Sequence, residues 1–380
     1  MSDHLEFNHL DLFEELNDKF KTTEKIEYIH SVVRQNYDFL HRIGIAVYDT
    51  KTGMVRTFAH SSDDGNPLFN YEIKLADAPS LHRVHLKRKP RVINDLTIFD
   101  NNHKSHTLRI KSGGYQASYT VPIYYEGQLT GFVFFNSRRP AVFDEDCLSY
   151  LDMIARLISL LINVDINQIQ TLHGALKSAT CFTGHRDPET GTHLERMARF
   201  SRLIANEIAG DYGMSDEWVE TIFWFAPIHD IGKIAIPDKI LLKPGKFTPE
   251  EFELMKTHTT KGSEILNQML SNFNMYNAKF VPMLNNIAEF HHENMDGSGY
   301  PLGLKGEEIP IEARIIAVAD VFDALTSARP YKKAWSNDEA FNELQALSTW
   351  KLDPKCVDIL TRNQGKIEEI QAAFQDDQAN

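Results

Sequence analysis

Two histidines stand side by side in the segment FHHENMDGSGYPLG, and a glycine-rich stretch follows them directly. The pair is His291 and His292, and the segment runs from Phe290 to Gly303. Imidazole nitrogen is a common ligand of transition metals, and adjacent imidazoles can serve neighbouring ions without adding negative charge. The pair therefore raises the question of which other histidines and carboxylates the chain supplies.

A second pair, His229 and Asp230, ends the apolar run FWFAPI and opens the sequence HDIGK. Adjacent residues of a helix point about 100° apart, so the two side chains suit two neighbouring ions better than one. A carboxylate buried after such an apolar run would be costly without a partner. Its two oxygens would let Asp230 bridge two ions.

Further candidate ligands recur through the second half of the chain. Glu189 and His193 lie four residues apart, so one helical turn would place both on one face. His258 lies 29 residues after the first histidine of HDIGK, and Asp320 lies 28 residues after the second histidine of the HH pair. Five histidines with carboxylates and no thiolate favour iron or manganese in octahedral coordination, with zinc as the alternative.

The composition narrows the classes of function. The chain has 40 basic and 53 acidic residues, and this net charge of −13 argues against binding of a nucleic-acid polymer, which needs a broad basic surface. The three cysteines form no CxxC pair, which argues against a disulfide framework or a thiolate zinc site. The strongest apolar stretch, LISLLINV, is shorter than the roughly 20 residues of a membrane span, and the N-terminus lacks a secretory signal. We therefore expect a cytoplasmic protein without a membrane partner.

The first half of the chain has the pattern of an α+β domain. Apolar residues at helical spacing predict helix over residues 1–40, and IGIAVYD, at 43–49, has the pattern of a strand. The segment at 114–137 predicts two strands joined by a turn at 126–128. Strands flanked by helices predict a central antiparallel sheet.

This hairpin, SYTVPIYYEGQLTGFVFFNS, and the helical segment VFDEDCLSYLDMIARLISLLI resemble the closing hairpin and last helix of a GAF domain. The resemblance covers about residues 20–165. It implies a GAF sensory domain at 1–165 that binds a small-molecule ligand or serves as a dimerising platform. GAF pockets vary, so the identity of the ligand is not implied.

A long helix is expected to connect the two halves over residues 146–180. Its apolar residues repeat at alternating spacings of four and three, with a polar interruption at Asp165. The repeat fits a helix packed against its own domain, or a parallel coiled coil that would make the protein a homodimer. The repeating residues are Leu151, Ala155, Ile158, Ile162, Ile169, Leu172 and Leu176.

From residue 178 onwards the pattern is helix and loop, and its motifs resemble the HD-GYP subfamily of HD-domain phosphohydrolases from Thr180 to Trp350. They are ETGTH, HDIGKIAIPDKILLKPGKFTPEE, HTTKGSEIL, HHENMDGSGYP and IPIEARIIAVADVFDALTSARPYKKA. The resemblance implies an all-α HD-type helical domain at 181–370. It also implies hydrolysis of cyclic di-GMP to linear pGpG, and onward to GMP, with two or three divalent metal ions.

Carried over residue by residue, the resemblance implies a set of metal ligands in which Asp230 bridges ions. His193 completes a ligand sphere, and Glu189 accompanies a third ion. Eight protein donors exceed what two open six-coordinate ions need, so we favour three ions. The implied ligands are Glu189, His193, His229, Asp230, His258, His291, His292 and Asp320.

The remaining motif residues are expected to meet the substrate. Lys233 would contact phosphate or protonate the leaving oxygen, with Asp230 as its catalytic neighbour; the alternative is a solvated lysine. By resemblance Arg329 and Lys332 would clamp the second phosphate; a basic surface turn is the alternative. Tyr300 would stack on guanine, contact a partner such as a diguanylate cyclase, or pack its own loop.

Three other functions stay open at this point. A phosphodiesterase preferring cyclic GMP-AMP would need the same ligands. A non-catalytic cyclic dinucleotide receptor would be expected to lack part of the ligand set, which is intact here. A metal oxygenase would not need HDIGK, the GYP segment or the basic cluster, which together favour a phosphate substrate.

Overall fold

The computed structural model describes residues 11–18, 21–63, 65, 68–99, 109–110, 112–182, 191–275, 278–327 and 334–375. Contacts divide the chain into two compact units, Met1–Gln168 and Ile169–Asn380.

The first unit is built on one six-stranded antiparallel sheet, as predicted. The predicted strand and hairpin are confirmed as β1, β5 and β6, and the hairpin turn uses Glu126 and Gly127 at φ 47° and 83°. Two positive φ values match the right-handed twist of hairpin strands and favour glycine at the second position. The sheet order is β3-β2-β1-β6-β5-β4. The strands are β1 (Arg42–Asp49), β2 (Met54–Ser62), β3 (Glu72–Lys74), β4 (Arg91–Ile93), β5 (Ala117–Tyr125) and β6 (Gln128–Ser137).

Three helices of the described chain begin in this unit: α1 (Thr22–Asn36), α2 (Pro79–Lys87) and α3 (Glu145–Phe182). The first one buries Ile26, Ile29 and Val33 completely and packs against β2. The prediction of helix before it is wrong for residues 11–18, which form a turn and a short 3-10 helix. There the Asp11 carboxylate accepts a hydrogen bond from the backbone N–H of Phe13 at 2.9 Å, a local bond that competes with helix.

The helix α3 uses its heptad-like stripe inside the single chain. Leu151, Ala155 and Ile158 are fully buried, and the Asp165 carboxylate accepts a hydrogen bond of 2.6 Å from the Thr22 hydroxyl. These positions are therefore not open to a second protomer, and packing within the chain explains the repeat here. The large apolar side chains that α3 exposes lie elsewhere, at Met153, Leu160 and Val164.

The helix α3 also corrects our expectation that no stretch is apolar enough for a membrane span. The part Glu145–Leu172 is 28 residues long and contains an 18-residue window whose mean hydropathy is 1.6, which meets the length and composition criteria for a membrane span. Of that window, 44% is buried inside the chain. Core helices of soluble proteins meet the same criteria, because both kinds of helix carry long apolar faces.

The second unit consists of helices and loops, with no strand among its described residues after α3, as predicted. Its centre is α4, which buries Met197, Phe200 and Ile204 and packs against α5 and α10. The rings of Phe200 and Phe322 meet edge to face at 5.1 Å between centroids. The helices are α4 (Gly191–Ile208), α5 (Asp216–Phe225), α6 (Asp238–Leu241), α7 (Pro249–Lys256), α8 (His258–Asn272), α9 (Val281–Phe290), α10 (Ile311–Thr326), α11 (Asn337–Leu347), α12 (Pro354–Arg362) and α13 (Gln364–Ala373).

Candidate metal centre

Helix ends and short turns place most of the predicted ligands. His229 and Asp230 lie between the 3-10 turns Ala226–Ile228 and Ile231–Ala235, where the chain leaves α5. His258 is the first residue of α8, and the HH pair follows the last residue of α9. Only His193 and Asp320 lie within longer helices, on α4 and α10.

These elements bring seven of the eight predicted ligands into two groups. The first group is Asp230, His258, His291 and His292, and the second is His193, His229 and Asp320. Within each group, one ligand atom from every residue lies within 4.8 Å of the others. The eighth residue, Glu189, lies outside the described residues.

Asp230 belongs to the first group and also contacts His229 of the second group. Its Oδ2 is 3.2 Å from Nε2 of His229, and its Oδ1 is 3.2 Å from Nε2 of His258 and 3.6 Å from Nε2 of His291. On the other side, Nε2 of His229 lies 3.9 Å from Oδ1 of Asp320. One carboxylate thus faces both sets of imidazoles, which is the arrangement that a bridging ligand needs.

The imidazoles are held with Nε2 directed at this carboxylate. Nδ1 of His229 lies 3.0 Å from the Ala226 carbonyl, and Nδ1 of His258 lies 2.8 Å from the Met255 carbonyl. A carbonyl only accepts hydrogen bonds, so each Nδ1 must carry a proton, and in the neutral form of each ring the lone pair is therefore on Nε2. This is the tautomer that metal-binding histidines require.

His291 follows the same rule and stays neutral. Its Nδ1 donates to the carbonyls of Ile287 and Ala288 at 2.9 and 3.1 Å, and burial lowers its pKa. Burial, and then repulsion from His291, hold the pKa of His292 well below its ordinary value. Neutral rings are the form in which histidine binds metal.

The centre leaves buried polar atoms unsatisfied in the part of the chain described. Oδ1 of Asp230, Nε2 of His258 and Nε2 of His291 are enclosed and make no hydrogen bond of sound geometry there. Buried polar groups are normally hydrogen-bonded, and a metal ion satisfies such lone pairs equally well. The imidazoles and carboxylates grouped around these atoms fit two neighbouring divalent ions.

Lys233 completes the charge balance around Asp230. Burial opposes ionisation of this carboxyl, but the Lys233 ammonium, with Nζ 2.7 Å from Oδ2, and His229 outweigh it. They hold the pKa of Asp230 well below its ordinary value, so the carboxylate is charged at neutral pH.

Sequence reasoning missed two residues that hold His193. Oδ2 of Asp323 lies 2.6 Å from Nδ1 of His193, and the same carboxylate accepts bonds from the Arg196 guanidinium at 2.7 and 3.0 Å. Carboxylates in this position fix the orientation of a ligating ring. The available signal was the spacing of Asp323, one helical turn after Asp320 on α10.

Comparisons with known proteins agree with the two units. Residues 24–163 match the family model described as GAF domain, and residues 189–356 match the one described as HD domain.

The chain is a GAF domain followed by an HD domain.

The chain is similar to several named relatives over half or more of its length. The chain is 44% identical to the cyclic di-GMP phosphodiesterase response regulator RpfG of Xanthomonas campestris, over 59% of this chain and 55% of that protein. It is 45% identical to a cyclic di-GMP phosphodiesterase of Thermotoga maritima, over 52% of this chain and 51% of that protein. It is 39% identical to the 3'3'-cGAMP-specific phosphodiesterase 2 of Vibrio cholerae, over 50% of this chain and 34% of that protein.

The chain thus spans about half the length of the first two relatives and about a third of the third. Among solved structures, the GAF domain of a Coxiella burnetii phosphoenolpyruvate-protein phosphotransferase is 13% identical, over 41% of this chain and 91% of that one, with a TM-score of 0.35.

The glycine-rich loop of the HD domain is held by Glu293. Its carboxylate is buried and accepts hydrogen bonds from the backbone N–H groups of Leu302, Gly303 and Leu304 at 2.7, 3.1 and 3.0 Å. A side-chain Cβ at Gly299 would lie 2.5 Å from the Glu293 Cα, so only glycine fits this close approach. The loop is therefore bent back against the residue that follows the HH pair.

Tyr300 lies against two of the predicted metal-binding side chains of the HD domain, His292 and His258. Its ring centroid is 4.9 Å from that of His292 and 6.3 Å from that of His258. Burial, and then the charge of Asp230, raise its pKa. The other two predicted substrate contacts, Arg329 and Lys332, lie outside the described residues.

Proposed function

We propose that this chain is a metal-dependent phosphodiesterase that hydrolyses cyclic di-GMP to linear pGpG, and further to GMP, under the control of its GAF domain. The observation that carries the proposal is the convergence of five histidines and two aspartates on two adjoining groups in the HD domain. The names of the relatives supply the substrate class.

The two groups would hold two divalent ions, iron or manganese, with Asp230 as the shared ligand. A third ion would need Glu189, which follows from the resemblance alone. Bound ions would act as Lewis acids on the phosphodiester and offset the charge that develops on it. The neutral imidazoles leave the centre cationic enough to take up a dianionic substrate.

Lys233 is the proposed proton donor for the leaving oxygen. Its ammonium is paired to Oδ2 of Asp230 and its side chain is 21% exposed, so it lies at the edge of the ligand cluster. Arg329 and Lys332 are the proposed clamp for the second phosphate.

Tyr300 remains the proposed stacking partner for guanine. Its contact with His292 and its edge-to-face contact with Phe252, at 6.3 Å, favour the simpler role of packing the loop. The exposed Leu302, at 65%, supports a partner surface on the same loop, for which a diguanylate cyclase is our candidate.

We further propose a cytoplasmic homodimer.

A preference for cyclic GMP-AMP is the second candidate function, and the similarity to the cGAMP-specific phosphodiesterase 2 favours it. Both candidates use the same ligands and differ only in base recognition. A non-catalytic receptor has less support, since the seven predicted ligands that the structure describes all lie in the two groups.

The deciding experiment offers both cyclic dinucleotides to protein purified without oxygen and loaded with Fe(II) or Mn(II). Chromatography should show linear pGpG from cyclic di-GMP, and Asp230→Asn should lower the rate at least about 100-fold, because the shared ligand is lost. His82→Ala, on α2 of the GAF domain, is the control and should keep full rate. If neither dinucleotide is opened by metal-loaded protein, the proposed activity is wrong.

A further inference from the structure

The GAF domain contains a cavity of about 580 Å³ between α2 and the strands β3, β4, β5 and β6. One wall is apolar and carries branched aliphatic side chains and a phenylalanine. A cavity of this size and apolar lining is typical of small-molecule sites. Its apolar wall consists of Ile73, Leu81, Val84, Ile93, Leu96 and Phe134.

The charged residues that line this cavity are mostly basic. Four carry positive charge, at Arg83, Lys87, Lys89 and Arg91, and Asp77 is the one acidic residue among the described lining residues. This excess contrasts with the net charge of −13 of the whole chain. A locally positive cavity in an acidic protein attracts anions by focusing its field.

Arg91 carries this charge into the interior. One guanidinium nitrogen contacts the Ser80 hydroxyl, and another donates to the Thr120 hydroxyl at 2.8 Å. Its enclosed Nε has no hydrogen-bond partner within the described part of the chain, where the partners of the guanidinium are the two neutral hydroxyls. Arg91 is half-buried, and partial desolvation of a cation with only neutral partners has an energetic cost.

The environment of Arg91 suits an anion. Burial lowers its pKa to about 10, so the guanidinium is still charged at neutral pH. An anion beside it would offset the cost of desolvation and restore the charge. The guanidinium fork suits the paired oxygens of a carboxylate or a phosphate.

A polar patch on the neighbouring strands adds a second donor. The Ser118 hydroxyl accepts a hydrogen bond of 3.1 Å from the Asn136 amide, whose oxygen in turn accepts one from Arg42 at 3.1 Å. Ser118 and Asn136 both line the cavity. Because the Ser118 oxygen is already an acceptor, its hydroxyl proton can be donated to a ligand oxygen.

We propose that this cavity binds a small organic anion with an apolar body, whose carboxylate or phosphate group is held by Arg91. The apolar wall takes the body, and the basic residues at the cavity discriminate against neutral analogues. The proposal concerns the GAF domain alone and does not depend on the hydrolase activity.

The test is calorimetric titration of the full chain with three probes of the same shape: 1-naphthoate, 1-naphthyl phosphate and neutral 1-naphthamide. At least one anion should bind about tenfold more tightly than the amide, and the tighter anion identifies the preferred head group. Arg91→Gln should lose at least about tenfold in affinity for that anion. Arg91→Lys should keep a preference for the anion over the amide, since the charge remains.

Arg139→Gln is the matched control, because Arg139 is exposed in the same unit and pairs with Asp38 outside the cavity. It should bind the probes like the parent protein. Thermal unfolding of each variant shows whether the domain is folded, and the comparison of anion with amide on the parent protein holds even if Arg91→Gln unfolds. The proposal is overturned if the amide binds as tightly as both anions, if neither anion binds at millimolar concentration, or if folded Arg91→Gln binds them unchanged.

Discussion

At the scale of single residues, the metal centre depends on what lies behind each imidazole. The Nδ1 atoms of His229, His258 and His291 are tied to backbone carbonyls, whereas His193 is tied to the Asp323 carboxylate. A carboxylate makes the ligating ring more basic and fixes its plane, so His193 should be the most sensitive to its support.

Replacing Asp323 tests this support directly. We expect Asp323→Asn to weaken metal retention about 10- to 100-fold, because the amide no longer matches both His193 and Arg196. Metal content after dialysis against a competing chelator measures the effect. Asp358→Asn, at an exposed position of α12, is the control and should keep its metal. Equal metal retention in both variants would show that Asp323 does not support metal binding.

The seven residues that converge at the candidate metal centre could be selected from the sequence because they belong to an ordered set of histidines and carboxylates. Arg196 and Asp323 could not, because their role arises only when α4 packs against α10 and brings residues 127 positions apart into contact. Arginine and aspartate on helices are ordinarily solvated, so the spacing of Asp323 from Asp320, the one local signal, is not enough to identify this role.

A histidine of the GAF domain makes a prediction about pH. His60 on β2 has a pKa lowered to about 4 by burial and by the nearby Arg42, against an ordinary 6.5 in the unfolded chain. The unfolded state therefore takes up the proton first as the pH falls. Stability of the GAF domain should decline from about pH 6.5 to about pH 4 and level off below that.

His60→Gln should flatten this part of the profile, measured as the thermal midpoint of unfolding at each pH. The slope should not vanish, because burial also lowers the pKa of His30 and His41. His82→Gln, on α2, is the control. An unchanged slope in His60→Gln would show that this histidine does not titrate differently in the two states.

At the scale of elements, the approach of one turn to one helix sets the centre. A Cβ on Gly232 would lie 1.8 Å from the His258 carbonyl oxygen and 2.5 Å from the Gly262 nitrogen. The 3-10 turn Ile231–Ala235 can therefore touch α8 only with glycine at this position. This contact fixes the distance between Asp230 and His258.

We expect Gly232→Ala to lower the free energy of unfolding by about 1–3 kcal/mol and to reduce metal content, because backbone atoms must separate. Chemical denaturation and metal analysis give the two readouts. Gly365→Ala on α13, where a Cβ meets nothing within 4 Å, should leave both unchanged or raise stability slightly. Native stability and metal content in Gly232→Ala would show that the contact is dispensable.

The helix α3 shows where element-scale prediction fails. Spacings of four and three identify a buried stripe, but they do not say which surface covers it. Here the repeating apolar residues between Leu151 and Leu172 are buried in the chain. Met153, Leu160 and Val164, which do not belong to the repeat, remain exposed. At the start of α1, the Glu24 carboxylate accepts a hydrogen bond of 3.3 Å from the Lys21 backbone N–H, a local feature that apolar spacing does not report.

At the scale of the whole molecule, the sequence was sufficient to assign an α+β unit followed by a helical unit. Sheet and helix patterns differ in period, and the two kinds of segment are separated along the chain. The chemistry of the GAF-domain cavity could not be predicted from sequence, because it depends on side chains from α2 and four strands that meet around one space.

The central claim is that the two groups of side chains hold metal ions side by side. Anomalous diffraction from crystals of anaerobically prepared, iron-loaded protein, recorded at the iron absorption edge, tests it most directly. The account predicts at least two peaks in the HD domain, on either side of Asp230 and within bonding distance of the surrounding Nε2 atoms. Iron-loaded crystals with no peak among these side chains would contradict it.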